Sequence, residues 1–174
     1  LQGLPPLLEL PADKPRPAQQ SFKGSTVHIE VEEEITGNLI ELGKQHGSTL
    51  YMVLLAALNL FLSRYTGRKD IVIGSAIANR TRPEMERIIG FFVNSLALRN
   101  EVSPSGSFVD FLAQVRGTTL QSYEHQDLPF EMLVDAMKVD RNLAWSPIFQ
   151  VMFALQNTPT RSKPIGGVDA VEFE

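Results

Sequence analysis

Apolar and polar positions along the chain predict a succession of alternating elements. Thr26 to Glu32 alternates, with Val27, Ile29 and Val31 on one side and His28, Glu30 and Glu32 on the other. Period two predicts a half-buried strand near a sheet edge. Leu39, Ile40 and Leu42 then mark a helix over about Ile35 to His46. Gly47 suits its C-terminal cap and Ser48 the N-cap of the next helix. That helix, Thr49 to Tyr65, is apolar over most of its circumference, so it is expected to be the central buried helix, ended by Gly67. The run IVIGSAI after Asp70 predicts a strand covered on both faces.

A polar loop, Asn79 to Arg87, separates this strand from a second buried one over Ile88 to Leu98. Ser107 and Asp110 form a capping pair for a helix to about Tyr123, whose Phe108, Phe111, Leu112, Val115 and Tyr123 fit helical spacing. Asp127 is placed to cap a short helix with Pro129 in its first turn. Ile148 to Leu155 reads as a third buried strand, and Asn157 to Gly167 as loop. Before all of these, Pro5, Pro6, Pro11, Pro15 and Pro17 make residues 1–24 an extended connector, with its apolar part, Leu4 to Leu10, lying on a surface. Helices interleaved with strands give an α/β layer fold with a mixed sheet.

Composition narrows the class. A chain of 174 residues fits one domain, and that length buries roughly 70% of its unfolded surface. There is no cysteine, which excludes disulfides and cysteine-ligated zinc and makes a cytoplasmic setting the default. A net charge of -4 argues against a duplex nucleic-acid binder. Met52 to Leu62 is broken by Asn59 and is too short to span a bilayer. The first residues lack the basic start and cleavage site of a signal peptide, and they open abruptly in an apolar run, as expected of a piece of something larger.

No catalytic constellation stands out from spacing. His28, His46 and His125 are scattered, none in a metal-spaced pair, and there is no glycine-rich phosphate loop or GxSxG elbow. No metal site and no catalytic residue is assigned. His28 belongs on a solvated strand face, and His46 at a helix C-terminus. His125, in EHQDLPFE, reads either as a base flanked by carboxylates or as a helix-end histidine before a capping aspartate, and the second is preferred.

The strings LELPADKPRP, STLYMVLLAA, DIVIGSAIANR, IGFFVNSLALR, HQDLPFEMLV and SPIFQVMFALQN occur in that order over nearly the whole chain. Together they resemble condensation domains of nonribosomal peptide synthetases, IGFFVNSL and HQDLPFE being the most specific. The resemblance implies one lobe of a chloramphenicol-acetyltransferase-like fold, in which two similar α/β lobes enclose a tunnel. Carrier proteins approach from both ends, each with a substrate thioester on a phosphopantetheine arm, and the acceptor amine attacks the donor thioester. The family's active-site motif is HHxxxDG in the N-terminal lobe, and this sequence contains no His–His pair. Residues 1–24 are therefore expected to connect from an N-terminal lobe, and residues 25–174 to form the C-terminal lobe, inactive alone. The implied partners are the N-terminal lobe, donor and acceptor peptidyl carrier proteins and a neighbouring adenylation domain, with no nucleic acid, no membrane and no directly bound cofactor.

The resemblance also sharpens single positions. The Asn79 to Arg87 loop matches the segment that crosses under the tunnel floor. Asn94 and Ser95 match the polar pair of the FVNT-like motif, and a polar side chain in so apolar a run needs a partner. Asn94 serves either as a hydrogen-bonder inside the lobe or as tunnel wall, the first preferred. Ser75 and Asn79 are similar candidates, because a pantetheine tunnel needs a few aimed polar groups on apolar walls. Gln126, Asp127 and Glu131 match HQDxPFE, with capping and local bonding as their expected work. Arg141, Ser146 and Pro147 match the family's RDxSRNPL motif, whereas Asn142, Ala144 and Trp145 depart from it. Trp145 is then free to pack at the lobe junction. Arg80, Arg82 and Arg87 form a basic loop cluster able to meet a phosphate or an acidic carrier. Glu84 and Glu86 partly neutralise it, and an ordinary solvated loop is preferred. Three other readings stay open: a non-catalytic carrier-docking half-domain with an exposed apolar face, an epimerisation domain, and a free acyltransferase of the same fold. IGFFVNSL favours condensation over epimerisation.

Overall fold

In the computed structural model, which describes residues 1–4, 7–139 and 142–156, the branched run Asp70–Ile77 forms strand β1. Its partner is β2, Asn94–Glu101, antiparallel, with Asp70 opposite Glu101 and Ile77 opposite Asn94. Side chains of a strand alternate between faces. Ile71, Ile73, Leu96 and Leu98 thus lie on one face, packed in the main core with Val53, Leu55, Leu112 and Val115 of two helices. Val72 lies on the other face, clustered with Val134, Ile148 and Phe149. The sheet is a middle layer between α2 and α3 on one side and α4 with the 148–149 segment on the other.

The helices are α1, Glu33–Gln45; α2, Leu50–Thr66; α3, Phe108–Glu124; and α4, Phe130–Met137. Glu33 and Glu34 extend α1 beyond its expected start, since carboxylates favour the positive end of a helix. Gly47 and Gly67 follow α1 and α2 at φ 60° and 71°, a region glycine enters without steric cost. Ser48 is not the cap of α2. Its N–H is spent on the Gly43 carbonyl at 2.7 Å, and Thr49 caps instead, accepting from the Met52 N–H at 3.3 Å. Nor is α2 buried all round: Phe61 and Tyr65 stack on each other in solvent. Ser107 caps α3 as expected. Its Oγ accepts from the Asp110 N–H at 3.1 Å and donates to the Asp110 carboxylate at 2.7 Å. No single helix among the described residues is long and apolar enough to cross a membrane.

Each of the other expected strands is altered, and each for a physical reason. Residues 26–32 are extended but pair with nothing described, and Val27 and Ile29 are 81% and 82% exposed. Alternation prepares a backbone for a sheet, but a strand also needs a hydrogen-bonding neighbour. The second strand starts at Asn94, not Ile88, because the carbonyls of Ile88 and Gly90 are taken by the Arg80 guanidinium instead of a ladder. The preceding loop winds into a 3-10 turn, Pro83–Arg87. The expected third strand shrinks to one parallel bridge, Met152 to Gly74, with Gly74 N–H to Val151 O at 2.9 Å and Phe153 N–H to Gly74 O at 2.8 Å. Ile148, at φ 67°, turns the chain before it can run alongside β1, an unusual conformation for a β-branched residue. The expected mixed sheet is therefore a two-stranded antiparallel sheet among the described residues, with one isolated parallel bridge beside it. The stretch 157–167, expected to be loop, lies outside the described residues.

The proline-rich N-terminal segment is docked. Leu8 is buried in the main core, and its N–H donates to the Gln150 side chain at 2.7 Å. The Gln20 N–H donates to the Leu143 carbonyl at 2.9 Å.

On the α4 side of the sheet, the Phe149 ring packs directly against Gly74. A Cβ there would fall 2.6 Å from ring atoms of the buried Phe149, itself packed on Phe130 at 5.1 Å between centroids. Overpacking of this kind costs about 1–3 kcal/mol. Gly74→Ala is expected to lower stability by that amount in chemical denaturation, whereas Gly37→Ala, with nothing near its Cβ, is expected not to.

Candidate functional site

The site is built at the Ile77/Asn94 end of the sheet, where β2 meets the turn between α3 and α4. Asn94 Nδ2 donates to the carbonyls of Gln126 at 2.9 Å and Leu128 at 2.8 Å. Its Oδ1 accepts from the Ser95 N–H at 2.9 Å and the Phe130 N–H at 3.1 Å. A primary amide offers two protons and two lone pairs, so the whole capacity of this side chain is used. Asp127 is not the cap of α4, since that helix has no cap from its own neighbourhood. The first-turn N–H of Phe130 is bonded across the fold by Asn94, which leaves the Asp127 carboxylate exposed at the cleft.

The cleft holds about 290 Å³ and is lined by Asn79, Phe91, Val93, Asn94, Ser95, Asp127, Pro129, Phe130 and Glu131. Asn79 stands at φ 50°, a region asparagine tolerates better than most residues. Its Oδ1 is buried with no hydrogen-bond partner among the described residues. The cleft thus has an apolar floor, unspent amide and hydroxyl groups, and two carboxylates at its α4 side. No histidine lines it, and no described cluster of His, Cys, Asp or Glu is arranged to hold a metal ion. Its walls can orient a polar chain, but they carry no base beside a nucleophile.

The remaining predicted residues are dispersed. Arg80 organises the loop beneath the cleft. Its guanidinium donates to the carbonyls of Met85, Ile88 at 2.9 Å and Gly90 at 3.3 Å, and lies 4.3 Å from the centre of the Phe92 ring. Ser75 lies one strand position before the cleft, buried, and accepts a hydrogen bond from the Tyr51 hydroxyl at 2.7 Å. Gln126 contributes its carbonyl to Asn94. Ser146 is exposed, its carbonyl accepting from Gln150 at 3.0 Å, and Trp145 is half-buried beside it. Nothing links these last two to the cleft, and Arg141 lies outside the described residues. His125 is exposed at the C-cap of α3, on the wall of a different groove.

Sequence reasoning passed over Tyr51 and Tyr123. They line a second recess of about 220 Å³ with Ser75, Ala76, Ala154 and Leu155. Tyr51 sits within an apolar run, where a phenol reads as one more core residue. Burial lifts both phenols above the ordinary value of 10.0; for Tyr51 the bond to Ser75 partly opposes that lift.

Comparison with known proteins identifies the family. The condensation-domain family matches residues 1–171. A linear gramicidin synthase of Brevibacillus parabrevis is 49% identical over 174 residues, which is 100% of this chain and 3% of that protein. A plipastatin synthase of Bacillus subtilis is 48% identical over 162 residues, 93% of this chain and 6% of that protein. The chain therefore spans only a few per cent of the length of these curated relatives. Among solved structures, a four-domain nonribosomal peptide synthetase superposes with a TM-score of 0.88 at 27% identity, covering 90% of this chain and 12% of that one. The X-domain from teicoplanin biosynthesis gives 0.82 at 27% identity, covering 86% and 33%.

The geometry itself makes two measurable demands. Removing Asn94 leaves two carbonyls and two N–H groups without that partner, and because these groups are only partly buried the loss is about 1 kcal/mol. Asn94→Ala is expected to lower the denaturation midpoint accordingly. Asn94→Asp should do no better, because a carboxylate cannot donate to the Gln126 and Leu128 carbonyls. The phenols give a pH signature. Their neutral forms are favoured by folding, so the stability they contribute is complete below about pH 10 and falls as pH rises through the native values. Urea midpoints are expected to fall above about pH 10, and less steeply in Tyr123→Phe than in the parent. The mixed α/β layers are those of a chloramphenicol-acetyltransferase-like lobe, and the chain belongs to the condensation-domain family of nonribosomal peptide synthetases.

Proposed function

We propose that this chain is the C-terminal lobe of a domain that forms an amide bond between two carrier-tethered thioesters, with residues 1–24 as connector and residues 25–174 as the lobe. The acceptor amine adds to the donor thioester carbonyl. A C–N bond forms, the C–S bond breaks, and the amine proton ends on the departing thiol. Catalysis of this kind rests chiefly on holding two reactants in register. The observation that carries the reading is the cleft organised by Asn94. It has aimed polar groups on apolar walls and no histidine, as one wall of a shared tunnel would.

Within that reading, Ser75, Asn79, Asn94 and Ser95 face or shape the path of the phosphopantetheine arm, while Arg80 and Gln126 fix the loop and turn that border it. Trp145 and Ser146 are assigned to the lobe junction or a carrier-facing surface, the role that the sequence also suggests for Arg141. The chain binds no cofactor directly. Its partners are an N-terminal lobe carrying HHxxxDG, donor and acceptor carrier proteins and an adjoining adenylation domain, in a cytoplasmic assembly. Val27, Ile29, Ile89 and Phe91 are exposed apolar side chains that such a neighbour would cover.

A second reading is favoured by one observation. The X-domain that resembles this chain is also seen in a complex with OxyB, with a TM-score of 0.82. A docking module without chemistry would need the same fold. Reconstitution separates the two. The isolated chain is expected to yield no peptide from aminoacyl carrier thioesters, and the chain joined to an HHxxxDG lobe is expected to yield it. Peptide from the isolated chain would overturn the proposal, and a joined protein that binds carriers yet makes no peptide would favour the docking reading.

A further inference from the structure

Tyr51 and Ser75 form a polar pair in the second recess that the cleft does not use. Ser75 is 3% exposed on the core-facing side of β1. Tyr51, in the first turn of α2, donates its phenolic proton to Ser75 Oγ at 2.7 Å. The Tyr51 ring is held against Phe153, with 5.2 Å between ring centres, so the donor has little freedom to turn away. A serine hydroxyl has one proton and two lone pairs. With a lone pair occupied by Tyr51, Ser75 keeps its own proton, and no described group accepts it. Ala76, Ala154 and Leu155 supply the apolar part of the wall, and Tyr123 adds a hydroxyl with no hydrogen-bond partner among the described residues.

We infer that Tyr51 is a positioning residue: by donating to Ser75 it leaves the Ser75 hydroxyl as a donor toward the recess, which selects a carbonyl oxygen of a thioester or amide over an ammonium group. Its direct partner is Ser75, and its effect on a ligand passes through that hydroxyl. A recess of about 220 Å³ is sized for a small group, such as the head of a tethered acyl chain or one amide of its arm. The identity of that carbonyl rests on the condensation reading; the donor character of Ser75 does not.

The test uses the full 174-residue chain and two small probes. N,N-dimethylacetamide accepts a hydrogen bond but cannot donate one, and propylammonium donates but cannot accept. Backbone amide shifts of Ala76 and Leu155 report occupancy. The parent chain is expected to bind dimethylacetamide about fivefold more tightly, the equivalent of one ordinary hydrogen bond. Ser75→Ala should abolish that preference. Tyr51→Phe retains the ring against Phe153 but frees a Ser75 lone pair, so the preference should fall to within about twofold or reverse. A merely structural role for Tyr51 would weaken both probes alike. No preference in the parent chain, no binding of either probe, or an unchanged preference in Tyr51→Phe would each overturn the inference. The first two of these need no variant to fold. Pantetheine, titrated separately, addresses the wider reading. Absence of shifts at both the Asn79 cleft and the recess would count against condensation, whereas pantetheine binding with an unchanged probe ratio would remove Tyr51 alone.

Discussion

One side-chain amide fixes the working end of this lobe. Asn94 stands at the first position of β2 and reaches the turn between α3 and α4, where it meets two carbonyls and an N–H while also accepting from Ser95. Hydrogen bonds contribute little net energy when water can replace the partner, but an unmade one between partly buried groups is expensive. The turn therefore sits where Asn94 holds it. The start of α4, the exposed carboxylate of Asp127 and the cleft between Phe91 and Glu131 follow from that placement.

The rest of the scaffold makes the end rigid. Gly74 lets the Phe149 ring approach β1 from the α4 side, the 151–153 backbone bonds to Gly74 along the edge of β1, and the opposite face packs on α2 and α3. On the α4 side of the sheet, Arg99 pairs with Asp70 through Nε at 2.9 Å and Nη2 at 2.7 Å, while Nη1 donates to the Gln2 carbonyl at 2.8 Å. The N-terminal segment is thereby tied to the same sheet that carries the cleft. Arg80, expected to lie in a basic surface cluster, instead folds the floor loop upon itself. In both arginines, a planar fork of donors acts as a bracket for the backbone.

The helices were legible in the sequence because their signals are local. Spacing near 3.6, Ser107 before Asp110 and glycines after α1 and α2 place their ends to within about two residues. The strands were less legible, because a strand exists only with a neighbour. Thr26 to Glu32 has the alternation and lacks a partner among the described residues, Ile88 and Gly90 give their carbonyls to Arg80, and Ile148 to Leu155 is turned aside at Ile148. The candidate site was legible where a polar residue interrupts an apolar string, as at Asn94. The two bonds that matter most there run to backbone carbonyls of Gln126 and Leu128, which no side-chain pattern displays. Tyr51 was hidden for the opposite reason, since its ring satisfies the apolar pattern while its hydroxyl does something else.

The claim that Asn94 holds the turn is tested most directly by native-state hydrogen exchange at the Phe130 amide. A first-turn N–H of a helix has no partner within the helix and ordinarily exchanges quickly. Bonded to Asn94, it is predicted to exchange as slowly as the interior amides of α4. Exchange at the rate of an open amide, with the rest of α4 protected, would contradict the account.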